Sequence, residues 1–233
     1  MPTLDCKITI CEWGSQHSNR SFDAWHTIAL PCPAKLKTPN WHKHTPTTVD
    51  GSRTIKKCMP VTDVMNLGYI IPAPVDIRVY RNDEDDLLFD GSDGEFFVTR
   101  HAPEQYGKTH FSGHVVLKFD FPWVLNTPPG YSLLYTHPMY RDNSKLEALP
   151  AFVSTDTYYN STSCPVIVKD WKIGEVLEIA KGTPLVQAIP MLREDWEIKT
   201  DFVEWGKMYK TAGALAKNES AYRDTYRQKK KDV

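Results

Sequence analysis

The sequence predicts a mainly β protein: a jelly-roll-like or sandwich core with an irregular N-terminal arm and C-terminal helices. Three observations carry this expectation. Short runs rich in branched and aromatic residues recur between turn clusters through the middle of the chain. Prolines interrupt the N-terminal quarter, removing ladder donors and breaking helices. After about Asp195 the apolar residues change to helical spacing.

Residues 1–57 form the arm. It contains Pro31-Cys-Pro33, Lys35-Leu-Lys-Thr-Pro39 and Trp41-His-Lys-His-Thr-Pro46. Only Lys7–Cys11 and His26–Leu30 read as strands there, and Trp13, Trp25 and Trp41 are expected to dock the arm on the core. The core spans 58–194. Pro60–Leu67 reads as a short helix stopped by Gly68, followed by a strand at Tyr69–Ile71. Asp76–Arg81 alternates Ile77 and Val79 with Arg78 and Tyr80. The turn Asn82-Asp-Glu-Asp-Asp86 leads into Leu87–Phe89, and Gly91-Ser-Asp-Gly94 leads into Glu95–Arg100; this spacing predicts a meander. Further strands are expected at Val115–Phe119, Tyr131–Tyr135, Phe152–Ser154, Val166–Lys169, Val176–Ile179 and Leu185–Ile189. In the extension, 195–233, Phe202, Trp205, Tyr209, Tyr222 and Tyr226 predict two helices docked by their aromatics. Gly206 and Gly213 weaken a single continuous one. Asn218 is expected to cap the second helix, and Lys229-Lys-Lys231 to close it.

Composition excludes several classes. Of 233 residues 41% are hydrophobic, enough to bury a core, so wholesale disorder is not expected. The formal net charge of −1 supplies no global field toward nucleic acid or an anionic membrane. Neither a basic-then-apolar leader nor a long apolar run is evident, so a cytoplasmic protein without a membrane span is expected. Cys6, Cys11, Cys32, Cys58 and Cys164 form no C-x-x-C pair and read as reduced thiols, and the sequons at Asn19, Asn160 and Asn218 then carry no glycan. The glycine motifs of the common nucleotide folds and hydrolases do not occur.

Four segments are more informative together: Thr127-Pro-Pro-Gly-Tyr-Ser-Leu-Leu-Tyr135, Phe152-Val-Ser-Thr-Asp-Thr-Tyr158, Pro165-Val-Ile-Val168 and Ala180-Lys-Gly-Thr-Pro-Leu-Val-Gln-Ala-Ile189. With Lys57-Cys-Met-Pro60, Asp63 and Gly68-Tyr-Ile-Ile71, they resemble an uncharacterised protein family of tailed bacteriophages and some bacteria, over roughly residues 54–196. Their order also resembles the β-clip fold of dUTP pyrophosphatases and dCTP deaminases: a Pro-Pro-Gly turn at Pro128-Pro-Gly130, a strand and tyrosine at Val153 to Tyr158, and Gly182-Thr-Pro-Leu-Val-Gln187. The resemblance implies a ligand site at Gly130, Tyr158, Gly182 and Gln187, and a homo-oligomer, a trimer by analogy with the β-clip enzymes. A phage protein would reside in the host cytoplasm or in the virion.

The catalytic set carries over badly. Alignment on Tyr158 places Thr155 where those enzymes hold a water-activating acid, with Asp156 one residue later. A one-residue slip on a strand turns a side chain to the other face. Thr136-His-Pro-Met-Tyr-Arg141 does not match their Pro-Arg-Ser-Gly motif, and their glycine-rich C-terminal arm is replaced by a Tyr- and Lys-rich segment. Asp156 is the one candidate catalytic acid. As a structural residue it would instead accept N–H bonds in the turn toward Asn160.

Other clusters read more plainly. His101, His110, His114 and His137 are candidate metal ligands, but Gly113 and the following strand argue against the helix that the spacing of His110 and His114 requires. The acids at 83–86 and 90–95 lack calcium-loop spacing and read as solvated hairpin tips. The tail from Tyr222 to Lys231 interleaves aromatics with cations, which would suit an acidic protein groove or, less expected, a nucleic-acid backbone, but it reads first as an amphipathic helix packing its tyrosines with a solvated basic end. The sequence therefore points to a phage-type β-clip binding or structural protein without catalysis or cofactor. The alternatives are a nucleotide-processing enzyme acting through Asp156 and a metal-dependent β-barrel enzyme using the histidines.

Overall fold

The computed structural model describes residues 2–8, 13–14, 21–22, 27–141, 143 and 145–228. Among these the chain is mainly β, as its alternating runs predict. The strands are, in order, β1 (Asp5–Ile8), β2 (Trp13–Gly14), β3 (Ser21–Phe22), β4 (Cys32–Pro33), β5 (Thr48–Val49) and β6 (Ser52–Arg53). Then come β7 (Tyr69–Pro72), β8 (Ile77–Arg81), β9 (Leu87–Phe89), β10 (Val98–Arg100), β11 (Val115–Asn126) and β12 (Tyr131–Thr136). The last five are β13 (Leu146–Ala148), β14 (Ala151–Val153), β15 (Ser161–Val168), β16 (Leu177–Ile179) and β17 (Pro184–Leu192). Helices are α1 (Asn40–His44), α2 (Met59–Met65) and α3 (Trp205–Lys217), followed by one π-helical turn at Tyr222–Tyr226.

The chain divides into two compact units, Pro2–His44 with Val64–Arg193, and Thr45–Asp63 with Glu194–Val233. The larger unit holds two five-stranded antiparallel sheets and a three-stranded one. One sheet runs β1-β11-β15-β13, with β10 beside β11; the other runs β14-β12-β17-β7-β4; the small one runs β16-β8-β9. This order corrects the meander: β8 and β9 form a hairpin, but most strands pair with partners distant in sequence. The first 44 residues contribute β1 and β4 to the main sheets. No strand forms over the described part of His26–Leu30, and part of Lys7–Cys11 lies outside the described residues, as does Trp25. The stretch expected as a strand from Glu95 opens with a 3₁₀ turn at Asp93–Phe96 before β10.

The core sits on β11. Leu117, Phe119, Phe121, Trp123 and Leu125, two residues apart, point the same way and are at most 2% exposed. Phe119, Phe121 and Trp123 stack along the strand at 6.2 and 5.2 Å. Each such buried ring contributes roughly 2–3 kcal/mol. The pairing of β11 with β15 shifts register between Asp120 and Val124, which bends the strand. The acidic tip at 82–86 is more than solvated: Asp85 holds Arg81 at 2.7 Å and Arg100 at 2.5 Å.

The smaller unit contains the β5–β6 hairpin, whose two-residue turn places Asp50 and Gly51 at φ of 48° and 76°. Arg53 donates to the Glu219 carboxylate at 2.5 Å and its carbonyl at 2.6 Å, and Arg227 grips Asp63 with two bonds at 2.8 and 2.5 Å. α3 corrects the expected break, since it runs through Gly206 and Gly213. Two helical glycines cost about 1 kcal/mol each, too little to stop a helix of 13 residues. Asn218 ends α3 instead of starting a second α-helix, its N–H bonding Ala214 O at 3.0 Å. Trp205 and Tyr209 are not docked either; one turn apart, they stack on each other at 5.8 Å and stay 58% and 66% exposed. Lys229-Lys-Lys231 lies outside the described residues. No helix among the described residues is long and apolar enough to cross a membrane.

Candidate functional site

The Pro128-Pro-Gly130 turn, the turn after β14 and the end of β17 meet at one place. Gly130 takes φ +84°, which a residue with a Cβ reaches only with strain. Its N–H donates to Asp156 Oδ2 at 2.9 Å. Arg193 then closes on the same carboxylate, with Nη1 to Oδ1 at 2.8 Å and Nη2 to Oδ2 at 2.5 Å. Arg193 also donates to Tyr131 O at 2.9 Å and Ser132 Oγ at 2.8 Å, and its own N–H bonds Gly130 O at 2.8 Å. Asp156 thus accepts from Gly130 and Arg193, which corrects the expectation that its oxygens serve the turn toward Asn160. Its side chain is 5% exposed. The Arg193 bonds, then the Gly130 N–H, hold its pKa at about 2. An anion this well satisfied is a poor proton acceptor at neutral pH.

Thr155 stands beside it, 3% exposed. Thr127 Oγ1 lies 3.0 Å from Tyr131 O, a bond it must donate, and 2.8 Å from Thr155 Oγ1. Thr155 therefore gives its hydroxyl proton to Thr127. Asn126 Nδ2 donates to Thr155 O at 2.7 Å, so this turn is fixed from both sides.

A cavity of about 120 Å³ opens next to the turn, lined by Leu125, Tyr135, Val153, Thr155 and Tyr158 and by residues 160–163. Its lining mixes apolar Leu125 and Val153 with polar groups of Tyr135, Thr155, Tyr158, Asn160, Ser161, Thr162 and Ser163. Tyr158 is half-exposed, its OH accepting from Asn160 Nδ2 at 2.9 Å. Burial, then the neighbouring Cys164, pushes the Tyr135 phenol well above its usual range, so it stays protonated. Burial and Asp120 push the Cys164 thiol up to about 12, which leaves almost no thiolate for nucleophilic chemistry. Ligand pockets usually hold about 300–1,000 Å³. At about 120 Å³ this cavity is below that range and matches one ring or side chain.

The other residues expected at a ligand site lie elsewhere. Gly182 makes a tight turn at φ +85°, its N–H bonding Ala73 O at 2.9 Å. Gln187 is fully buried in β17 and accepts from Met139 N–H at 3.0 Å. Its Nε2 donates to Val64 O at 3.0 Å and Leu67 O at 2.7 Å. Beside it the Arg141 guanidinium donates to the carbonyls of Lys37, Ala34 and Met65 at 3.1, 2.9 and 3.0 Å. These carbonyls use up the donors an anion would need, so Gln187 and Arg141 tie strands and turns together. Arg193 and Arg141 carry no local sequence signal, because their partners are distant in the chain.

The four histidines each have their own partners, and Glu147 lies within electrostatic reach of both His110 and His137. His101 Nδ1 pairs with Gln105 at 3.0 Å, and His110 packs edge-on against Phe111 at 5.0 Å. His114 receives the Tyr106 hydroxyl on its carbonyl at 3.3 Å. His137 accepts from Ala148 N–H at 3.4 Å; burial, opposed by Glu147, lowers its pKa. Among the described residues no three His, Cys, Asp or Glu side chains come together as a metal site.

No family model and no curated protein matches the chain. Among solved structures, a mutant dUTPase from phage phi11 of S. aureus, studied for its structural Mg(II) ion, is similar at a TM-score of 0.31 and 12% identity. The match covers 60% of this chain and 84% of the dUTPase.

Proposed function

We propose that this chain is a phage-type β-clip protein that binds one ring or side chain of a partner in the Tyr158 cavity and catalyses no reaction. The β-clip and phage parts rest on the ordered Pro-Pro-Gly, tyrosine and Gly-Thr-Pro-Leu-Val-Gln segments of the sequence. The trimeric state and the host-cytoplasm or virion setting follow from the same resemblance. The absence of catalysis rests on one observation: Asp156, the candidate acid that the sequence singles out, has both oxygens committed to Arg193 and the Gly130 N–H. The small cavity with polar walls supports recognition of a compact polar ring or side chain. Incubation with each deoxynucleoside triphosphate and Mg²⁺ should release no phosphate or pyrophosphate. Turnover that disappears in Asp156→Asn would replace this reading with the nucleotide-processing one.

A further inference from the structure

The segment 193–204 follows β17 without a turn or bend. Its peptide groups from 195 to 203 make a single hydrogen bond, the local one from Phe202 N–H to Asp201 Oδ1 at 2.7 Å. The sequence Trp196-Glu-Ile-Lys-Thr-Asp-Phe-Val203 alternates with the period of a strand. Trp196, Ile198, Thr200 and Phe202 share one face, and Glu197, Lys199 and Asp201 the other. The apolar members are 86%, 90% and 97% exposed at Trp196, Ile198 and Phe202. A strand pattern with free backbone groups and bare aromatics is a strand without its sheet.

We infer that this segment pairs with the same segment of a second copy, antiparallel, across a two-fold axis at Thr200. Charge decides the register. The stretch from Glu194 to Glu204 holds five carboxylates and only Lys199 as cation, a net −4, so most self-pairings oppose like charges. Centring on Lys199 sets lysine against lysine and Glu197 against Asp201. Centring on Ile198 sets Asp195 against Asp201. Centring on Thr200 sets Lys199 against Asp201 twice, Ile198 against Phe202 twice, and Thr200 against itself, with no like charges directly opposed. Opposite charges, aromatic with β-branched residues, and Thr with Thr are the cross-strand pairs that stabilise a sheet. The contact is isologous and joins copies two by two, so on a trimer it would link one trimer to another. Trp196, Phe202, Trp205 and Tyr209 offer on the order of 600 Å² of exposed surface per copy, close to the ~800 Å² that a standard interface buries on each side. This inference does not depend on what the Tyr158 cavity binds.

Charge swapping tests it on the full chain, with mass read by light scattering and sedimentation. Lys199→Asp and Asp201→Lys should each raise the dimer dissociation constant about tenfold, and the double variant should restore it. Among the described residues Lys199 pairs with Glu197 at 3.6 Å, and Asp201 bonds the adjacent Phe202 N–H at 2.7 Å, both exposed local contacts, so the variants should keep the circular dichroism of the parent. Thr200→Cys should form an intermolecular disulfide on mild oxidation, because cross-strand Cα atoms lie within disulfide reach. A parent that is monomeric throughout, or an oligomer of any size indifferent to both single swaps, would overturn the inference. So would two single swaps that the double variant fails to rescue.

Discussion

Replacing Gly68 by alanine should cost far more than the same change at Gly182, although both glycines have positive φ, +67° and +85°. The backbone strain is therefore shared, on the order of 1–2 kcal/mol at each position. The surroundings differ. A Cβ at Gly68 would stand 2.1 Å from the Ala188 carbonyl oxygen and 3.1 Å from Ile189 Cα, both main-chain atoms of β17. At Gly182 the nearest atom is the flexible Lys37 Nζ, 3.8 Å away. Relief at Gly68 needs β7 and β17 to move apart where Tyr69 pairs with Ala188. Such overpacking adds about 1–3 kcal/mol. Gly68→Ala should lose roughly 2–5 kcal/mol in all, and Gly182→Ala about 1–2. For a chain of this size that is a drop in melting temperature of about 10 °C against about 4 °C. Thermal melts of the two variants beside the parent measure it. Equal losses would refute the close approach of α2's end to β17.

Asp156 makes stability pH-dependent with a defined sign. Its folded pKa, about 2, lies below its ordinary 3.8, so the contribution is present above about pH 4 and lost as pH falls toward 2. Asp156→Asn should flatten the melting temperature over that window; a variant that keeps the parent's slope would refute the clamp. Gln187→Leu keeps volume but strands the Met139 N–H and removes the side-chain donor to the Val64 and Leu67 carbonyls, and should cost roughly 2–3 kcal/mol in urea unfolding; a silent substitution would return Gln187 to the candidate ligand residues. A thiol reagent at pH 8 should label the exposed Cys58 in the native protein and Cys164 only after denaturation; fast native labelling of Cys164 would show that the core around β15 opens.

Local chemistry reached the elements and several of their ends. Branched and aromatic runs between turn clusters located most strands of the larger unit, because a strand's period and its bounding glycines are written in adjacent residues. Gly68, Gly130 and Gly182 all take the positive φ that turns demand. The Asp50-Gly51 hairpin was equally legible but sits in a stretch read as an irregular arm. In α3 local weakness misleads, since two glycines do not break a helix of 13 residues.

The sequence by itself determined the β class and the positions of the glycine turns. Tertiary structure alone decided what Asp156 does, because its fate rests on Arg193, 37 residues away, and on Gly130, 26 away. Gln187 and Arg141 likewise became internal ties only when turns more than 40 residues distant supplied carbonyls to them. The strand order is of the same kind. A residue's period fixes which way it faces, while its neighbour across the sheet is chosen by burial summed over the whole core, which no window of sequence contains.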